Sequence, residues 1–313
     1  MKRRQFIGTL AAAGILGAVE KIEATPVYKT LEGISGMKAG LDENLIAFMT
    51  DIHLNPGGYQ HERIKKVIAD MLSADRRPAQ LIILGDLACQ SGSLEEYQAL
   101  KEVIKPVEDA GIKITMTMGN HDWRPNFSEV FPDYAAKSKL SDRLVFVVET
   151  PATDIIVLDS LIQPENFGRP IMNGEISDGE RSWLDTYLTE HPDKPVLISA
   201  HHPLQDTKLN DVLSKHACVK GYIYGHDHRW RRDFLMGRGP SGAIKQTLCL
   251  PSTGQWGDLG WAMMEITGKQ ATVTLHQDDF FFPAPAKTPE SAPAQWKLMV
   301  EQHKHACCIF SLE

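Results

Sequence analysis

Residues 219–228 read VKGYIYGHDH, an apolar run that stops at a glycine and is followed by two histidines with one residue between them. Short apolar runs rich in β-branched and aromatic residues are typical of buried strands, and Gly225 permits a sharp turn at the end of such a strand. The alternation leaves His226 and His228 side by side on a loop, where imidazoles commonly bind metal ions. A chance pair of loop histidines has the same pattern, so the rest of the chain decides between the two interpretations.

The chain around this stretch alternates between predicted strands and predicted helices. Apolar runs predict strands at 44–50, 80–85, 112–119, 143–148, 154–160, 194–200 and 219–225. Helical spacing of apolar residues occurs at 62–74, 93–110 and 178–191, and closely spaced runs at 243–250, 261–267 and 270–277 suggest an antiparallel finish. Continuously apolar strands that alternate with helices predict an α/β fold whose sheet is covered on both faces. With 313 residues, 42% of them hydrophobic, the chain can bury a large core.

The N-terminus is predicted to be an export signal. A basic start (Lys2, Arg3, Arg4) precedes an apolar stretch of small residues from Phe6 to Val19. This stretch is shorter than the about 20 apolar residues that span a bilayer and suits a signal peptide, so no stable membrane anchor is expected. Arg3 and Arg4 followed by Phe6 resemble a twin-arginine signal, which implies a bacterial protein exported to the periplasm or another extracytoplasmic space by the export machinery. An ordinary secretory signal or an uncleaved anchor is the alternative, and the cleavage site stays open.

These patterns divide the chain into four parts. We predict a signal peptide at 1–24, a linker at 25–43, one α/β domain at 44–282 and a partly irregular C-terminal tail at 283–313. The tail begins with the Pro- and Ala-rich run PAPAKTPESAPA, which favours irregular structure. A terminal helix at 295–306 is compatible with its sequence.

Charge and cysteine content exclude two kinds of site. The chain has 33 Lys and Arg against 40 Asp and Glu, a net charge of −7 without a basic block, so no nucleic-acid partner is expected. The five cysteines form no C-x-x-C pair, which excludes a zinc ribbon, and their odd number leaves at least one without a partner in a monomer. The sequence assigns no disulfide bond.

Polar residues follow five of the predicted strands. They are Asp51 and His53; Asp86; Asn120, His121 and Asp122; His201 and His202; and His226 and His228. Ligands of open α/β sheets bind beyond the carboxyl ends of the strands, so we expect these side chains to converge. Burying so many polar groups without a compensating ion would cost about 2–7 kcal/mol for each unpaired group. The sequence therefore predicts a metal centre, and glycines at 85, 119 and 225 would let the backbone turn beside it.

The ordered set D-x-H, G-D, G-N-H-D, H-x-P and G-H-x-H resembles the calcineurin-like metallophosphoesterase superfamily over roughly residues 44–230. The resemblance implies a four-layer α/β/β/α sandwich with a dinuclear metal centre. It further implies that one ion is bound by Asp51, His53 and His228, that Asp86 bridges both ions, and that the other ion is bound by Asn120, His201 and His226.

The chemistry of this ligand set suits a phosphoester. Asp51 and Asp86 bring only two negative charges to two divalent ions, so the centre stays positive, attracts phosphate and acidifies a bound water. Nitrogen and oxygen ligands without thiolate suit Mn, Fe or Zn better than Mg or Ca. The resemblance implies in-line attack by a metal-bound hydroxide, with His121 as the general acid that protonates the leaving oxygen.

The remaining candidates each have two interpretations. Asp122 either orients the imidazole of His121 or caps its loop, and His202 either lies near the substrate or is an ordinary hydrogen-bonded loop residue. Arg124 is the nearest cation that could fork onto a phosphate oxygen, or else a surface arginine. Trp256 and Trp261 could stack on a base or fill the core, and core packing is favoured.

The block GDLACQ indicates which class of phosphoester the chain is expected to hydrolyse. Protein phosphatases of the superfamily have a second aspartate where this chain has Cys89, so protein phosphatase activity is not expected. The short block resembles class III cyclic-nucleotide and glycerophosphodiester phosphodiesterases, and we predict hydrolysis of a small phosphodiester of one of these types. The alternatives are an exported phosphomonoesterase or a metal-binding scaffold without catalysis. A dinuclear oxidase is not expected because such sites usually carry Glu-x-x-His pairs on bundle helices. The oligomeric state is not predicted.

Overall fold

The computed structural model describes residues 40–234, 246–281 and 306–313. Its strands are β1 (Leu41–Met49), β2 (Arg77–Leu84), β3 (Lys113–Thr117), β4 (Phe146–Glu149), β5 (Asp154–Val157), β6 (Val196–Ser199), β7 (Val219–Tyr224), β8 (Arg231–Phe234), β9 (Gln246–Cys249), β10 (Gly257–Thr267), β11 (Gln270–Phe281) and β12 (Cys307–Ser311). Its helices are α1 (Tyr59–Ser73), α2 (Leu94–Asp109), α3 (Arg124–Val130), α4 (Pro132–Ala135), α5 (Asp178–Glu190), α6 (Leu204–Thr207) and α7 (Asn210–Lys215). The predicted signal peptide, the Pro- and Ala-rich run and residues 295–305 lie outside the described residues.

Within the described ranges, the strands form two mixed six-stranded sheets. The first has the order β12-β11-β10-β1-β2-β3, in which β1, β2 and β3 are parallel and β10, β11 and β12 pair antiparallel. The second has the order β4-β5-β6-β7-β9-β8, with four parallel central strands and an antiparallel strand at each edge. The sequence predicts antiparallel pairing for the last three apolar runs. This prediction is confirmed for β10 and β11 but is wrong for β9, which runs parallel to β7.

The two sheets pack face to face with helices on their outer sides. Along β5, Ile155 belongs to the core shared with the first sheet and with α1 and α2, whereas Ile156 belongs to a second core formed with α5 and α7. This alternation is the period of a strand that is buried on both faces. At Gly221 a Cβ atom would overlap the ring of Phe310, so a side chain of the first sheet reaches the backbone of the second. The predicted α/β sandwich of four layers is confirmed.

The N-terminus of α2 is held by a capping box that also shapes a loop of the site. The Ser93 hydroxyl accepts a hydrogen bond from the Glu96 backbone N–H, and the Glu96 carboxylate accepts one from the Ser93 backbone N–H. The other carboxylate oxygen of Glu96 accepts hydrogen bonds from the backbone N–H groups of Cys89 and Gln90, both 2.9 Å long. One glutamate therefore fixes both the helix start and the preceding loop.

Two boundaries differ from the sequence prediction. Strand β1 begins at Leu41, inside the predicted linker, and β12 forms an edge strand within the predicted irregular tail. In β12, Cys308 and Phe310 are buried and alternate with exposed residues, which is the pattern of a strand with one covered face. None of the five cysteines, which all lie in the described ranges, forms a disulfide bond. The helices that the structure describes are too short or too polar to cross a membrane.

Candidate metal centre

The polar residues of the sequence motifs lie where strands of both sheets end. Parallel pairing brings the carboxyl ends of β1, β2 and β3 together, and main-chain hydrogen bonds tie the loops that follow. The Asp51 N–H donates to the Gly85 carbonyl (3.1 Å) and the His53 N–H donates to the Asp86 carbonyl (2.9 Å). In the second sheet, the Gly225 N–H donates to the His201 carbonyl (3.0 Å). The His226 N–H donates to Oδ2 of Asp51 (2.9 Å), which joins the loops of the two sheets.

The backbone at the site is strained. Five predicted metal ligands have left-handed backbone conformations, with φ of 49° at Asp51, 41° at His53, 47° at Asp86, 66° at His226 and 53° at His228. Among the other non-glycine residues that the structure describes, Lys208 alone shares this feature. Each such conformation costs about 1–3 kcal/mol and persists where the surrounding structure enforces it, commonly at functional sites.

Two glycines let the loops approach each other, as the sequence predicted. A Cβ atom at Gly119 would overlap the carboxylate of Asp86. A Cβ atom at Gly225 would overlap the Thr50 hydroxyl and lie 2.6 Å from Oδ2 of Asp51. A side chain at either position would displace one of the two carboxylates of the site.

The predicted ligands of one ion form a compact buried group. The Nε2 atom of His228 lies 3.1 Å from Oδ1 of Asp51 and 3.2 Å from Nε2 of His53. All three side chains are buried. The structure thus brings together Asp51, His53 and His228.

The predicted ligands of the other ion form an adjacent group around Asn120. Its Oδ1 atom lies 3.0 Å from Nδ1 of His226 and 3.3 Å from Nε2 of His201. Asp86 lies between the two groups, because its Oδ2 atom is 3.5 Å from Nε2 of His53 and 3.3 Å from Nε2 of His201. A carboxylate in this position can bridge two ions.

The donor atoms fit a metal. Potential ligand atoms of Asp51, His53 and His228, and separately those of Asp51, Asp86 and His201, lie within 4.8 Å of one another. Oδ1 of Asp51 is buried and receives no well-aligned hydrogen bond within the described residues, although His228 Nε2 is 3.1 Å away. A buried carboxylate oxygen without a donor is costly unless a cation compensates it. Imidazole, carboxylate and amide ligands suit transition metals such as Mn, Fe or Zn.

The electrostatics of the site show how strongly it attracts positive charge. Burial by itself would lower the pKa of His201, but the carboxylates of Asp86 and Asp51 outweigh it and raise the pKa to about 10. Burial would raise the pKa of Asp51, yet His228 and His201 hold it below its usual value. His53 shows the opposite balance, because burial lowers its pKa to about 4. The carboxylates of Asp51 and Asp86 therefore favour positive charge at this site, as a bound metal cation would supply.

His121 and Asp122 adopt different roles from each other. The His121 backbone N–H donates to Oδ1 of Asp86 (2.8 Å), and its Nδ1 lies 3.2 Å from the Gln90 carbonyl oxygen. Asp122 does not orient this imidazole: its carboxylate accepts hydrogen bonds from the backbone N–H groups of Leu87, Ala88 and Gly119 and from the Tyr97 hydroxyl. The predicted orienting role of Asp122 is therefore wrong, and the alternative of a loop cap describes its contacts.

Two predicted substrate contacts have other partners in the structure. Arg124 forks onto Asp159, with Nε 2.6 Å and Nη2 2.8 Å from its carboxylate oxygens, and Nη2 also donates to the Leu161 carbonyl. This pair withdraws the guanidinium from a phosphate, so we correct that assignment. His202 is buried, its Nδ1 lies 2.8 Å from the Ser160 hydroxyl, and its Nε2 atom has no hydrogen-bond partner within the described residues.

One of the two tryptophans packs in the core, and the other lies at the candidate metal centre. Trp261 is buried in the core and stacks on His276, as core packing predicted. Trp256 is 37% exposed and stacks on the ring of His228 with ring centroids 4.0 Å apart. Sequence reasoning missed Arg169 and Met172, which lie on the loop before α5 and beside Asn120. Neither belongs to a motif, and only the folded loop brings them to the site.

Similarity to known proteins agrees with this geometry. Residues 45–230 match the family model described as calcineurin-like phosphoesterase. The chain belongs to this family. The match includes every predicted metal ligand and both sheets' contributions to the site, and members of the family use divalent metals.

Relatives of this family member include named phosphodiesterases. A probable glycerophosphodiester phosphodiesterase of Arcobacter nitrofigilis is 28% identical over 54% of this chain and 63% of its own length. A probable cyclic nucleotide phosphodiesterase of Rhodococcus erythropolis is 27% identical over 59% of this chain and 65% of its own length. A 3',5'-cyclic adenosine monophosphate phosphodiesterase of Escherichia coli K12 is 29% identical over 48% and 54%. The chain thus spans between about half and two thirds of these relatives.

Among solved structures, a dimetal phosphatase from Danio rerio matches this family member with a TM-score of 0.59. It is 16% identical, and the match covers 74% of this chain and 95% of that chain. At this identity the likeness supports the fold alone.

Proposed function

We propose that the chain is a phosphodiesterase that works with two metal ions. The observation that carries this proposal is the convergence of all seven predicted ligands from both sheets, with Asp86 between the two ligand groups. Asp51, His53 and His228 would hold one ion, and Asn120, His201 and His226 would hold the other. Ions of Mn, Fe or Zn bound there would neutralise phosphate charge and lower the pKa of a bound water toward neutrality.

The protein residues around the ions would bind the substrate and move a proton. The backbone N–H of His121 donates to Asp86, and its Nδ1–H donates to the Gln90 carbonyl. Its Nε2 atom is therefore left to protonate the leaving oxygen. A general acid in this position contributes about 10²–10⁴-fold to the rate. The Glu96 carboxylate supports this arrangement, because it fixes the loop that carries Gln90.

The relatives favour a diester as the substrate. Those with the printed names glycerophosphodiester phosphodiesterase and cyclic nucleotide phosphodiesterase each match more than half of this chain. We therefore infer a small phosphodiester of the cyclic nucleotide or glycerophosphodiester type. Hydrolysis of a phosphomonoester by the same site is the second candidate, and a scaffold without catalysis is a third.

A paired assay tests the proposal. The chain would be reconstituted with Mn, its metal content counted, and turnover of bis-p-nitrophenyl phosphate compared with that of p-nitrophenyl phosphate. A clear preference for the diester is the expected result, and cyclic nucleotides and glycerophosphodiesters would then be assayed in turn. A preference for the monoester would replace the proposal with a phosphatase. Two bound metals without turnover of any of these substrates would favour the scaffold.

We also propose that the protein is exported. The support is the sequence of residues 1–24, where Arg3 and Arg4 precede the apolar stretch. Cell fractionation of the wild type and of the Arg3→Lys, Arg4→Lys double variant tests the idea. Loss of the extracytoplasmic fraction in the variant is expected, and equal export of both proteins would exclude a twin-arginine route.

A further inference from the structure

Residues 162–173 form an overhanging loop between β5 and α5 that exposes an unusual amount of apolar surface. Phe167 is 49% exposed, Ile171 38% and Met172 54%. These three account for half of the six large hydrophobic residues that are exposed in the described part of the chain. Exposed apolar groups that cluster in this way commonly mark a binding site.

The base of the overhanging loop is fixed next to the metal centre. Leu161 and Gly174 form an antiparallel bridge, and the Glu175 N–H donates to the Ser160 carbonyl (3.0 Å). Gly174 packs so closely on His202 that a Cβ atom would overlap the imidazole. The ends of the loop are thus held together, as in an Ω-loop, beside the neighbour of a predicted ligand.

The overhanging loop contacts the residues on either side of His121 and Asp122 in the sequence, Asn120 and Trp123. Sδ of Met172 is 3.5 Å from Nδ2 of Asn120, and the ring of Phe167 meets that of Trp123 edge to face with centroids 5.3 Å apart. Arg169 lines a narrow cavity together with Asn120 and with the residues Ser91, Asp122, Trp123, Pro164, Gly168 and Pro170. Two of the lining residues, Asn120 and Asp122, are the sequence neighbours of His121, so the cavity lies against the loop that carries the proposed general acid.

Arg169 is the cation at this cavity that has no ionic partner. Its side chain is exposed, and no carboxylate of the described residues forms an ion pair with it. Arg124, by contrast, is held by Asp159. An unpaired guanidinium can form two parallel hydrogen bonds with phosphate oxygens, which an ammonium group cannot reproduce.

We propose that the overhanging loop is the substrate-binding segment of the site, with Arg169 as its phosphate-binding residue. Arg169 binds a non-bridging oxygen of the substrate phosphoryl group, and Phe167 and Met172 contact the leaving group. The inference rests on the proposed function for the identity of the substrate. It adds a binding element that none of the metal-ligand motifs contains.

The test compares Arg169→Gln with Arg169→Lys and with the wild type. Arg169→Gln should raise the KM for bis-p-nitrophenyl phosphate and the Kd for inorganic phosphate, measured by calorimetry, by roughly 10- to 100-fold, as expected for the loss of a charged hydrogen bond. Arg169→Lys should lie between the two, because it keeps the charge and loses the fork. Metal content and kcat should change little. Lys113→Gln is the control, since it removes one exposed positive charge at the start of β3, the opposite end from Asn120.

The two readouts separate this inference from the proposed function. If the wild type binds phosphate but cleaves no phosphodiester, the proposed function fails, and weaker phosphate binding by Arg169→Gln would still support the role of Arg169. If the wild type cleaves diesters while Arg169→Gln keeps the wild-type KM and Kd, the inference is overturned. An equal effect of Lys113→Gln would also overturn the inference. The loss of one positive charge anywhere on the protein would then explain the weaker phosphate binding.

Discussion

The indole of Trp256 stacks on the imidazole of His228 with ring centroids 4.0 Å apart, and the Trp256 carbonyl oxygen accepts a hydrogen bond from Nδ1 of the same imidazole (3.0 Å). The Gln255 carbonyl lies 3.1 Å from the same Nδ1 atom. These contacts place the proton on Nδ1 and leave the Nε2 lone pair toward Asp51 and the proposed ion. Outer partners of this kind orient metal-binding histidines and raise their basicity.

Replacement of Trp256 should weaken metal binding. In Trp256→Ala the ring that covers His228 is lost but the hydrogen-bonded carbonyl remains, so metal affinity should fall by less than the roughly tenfold that follows loss of a hydrogen-bonded partner. Titration of the metal-free protein with Mn in a metal buffer measures the change. Trp256→Phe keeps a stacked ring and should retain most of the affinity. Equal affinities of the alanine variant and the wild type would show that the stack does not support the ligand.

Removal of the proposed general acid should separate turnover from metal content. His121→Ala keeps the backbone N–H that Asp86 accepts but loses the imidazole, so turnover of a diester with a poor leaving group should fall by about 10²–10⁴-fold. A diester with a p-nitrophenolate leaving group needs less protonation and should be affected less. Both metals should remain. Near-wild-type turnover of the poor leaving group would contradict the role of His121.

Asp86 should be needed by both ions. Asp86→Asn keeps the shape of the side chain but removes the charge that lies between His53 and His201, so both metals and activity should be lost. Metal analysis after dialysis tests this expectation. Asp227→Asn is the control, because Asp227 lies between the two loop histidines in sequence but pairs with Arg231 at 2.9 Å. Retention of a full pair of metals in Asp86→Asn would contradict a bridging role.

Removal of metal should lower stability. Asp51 and Asp86 are buried carboxylates in one site, and a cation bound there would stabilise the folded state by about 2.7 kcal/mol at a free concentration of 100 times its Kd. Differential scanning calorimetry with Mn and with a chelator measures the shift in Tm. The Asp51→Asn, Asp86→Asn double variant should show little shift. An identical Tm for the wild type in both conditions would argue against a metal in this site.

Replacement of Arg124 should affect stability rather than substrate binding. Its guanidinium pairs with the fully buried carboxylate of Asp159, and a buried charge left without its partner typically costs about 3–5 kcal/mol. Denaturant unfolding of Arg124→Met should show this loss, and Arg124→Met with Asp159→Asn should recover part of it. A variant of unchanged stability with a raised KM would restore Arg124 as a substrate contact.

The candidate metal ligands could be located from sequence because they follow predicted strands, while their division between two ions is what the family resemblance implied. Asp51, Asp86 and His226 each come directly after an apolar run, and a run buried on both faces predicts a central strand. Ligands of an α/β sheet gather beyond the carboxyl ends of such strands. Apolar residues at helical spacing likewise predicted α1, α2 and α5, which each bury one face.

Edge strands were harder to predict because they carry a weaker pattern. Strand β8 has four residues and β12 has five, and β12 buries only alternate side chains. A short strand with one covered face differs little from an extended loop. Its pairing depends on whether a partner strand with a free edge lies nearby in the fold.

The sequence by itself determined which residues can bind metal and which strands carry them, because residue type and periodicity are local properties. Only the tertiary structure decided what the neighbouring groups do, since a side chain takes the partner that folding brings within reach. Asp122 accepts three backbone hydrogen bonds instead of orienting His121, and Arg124 pairs with Asp159. Arg169 has no sequence motif at all. It shares a cavity with Asn120 because it lies on the loop whose ends the bridge between Leu161 and Gly174 joins.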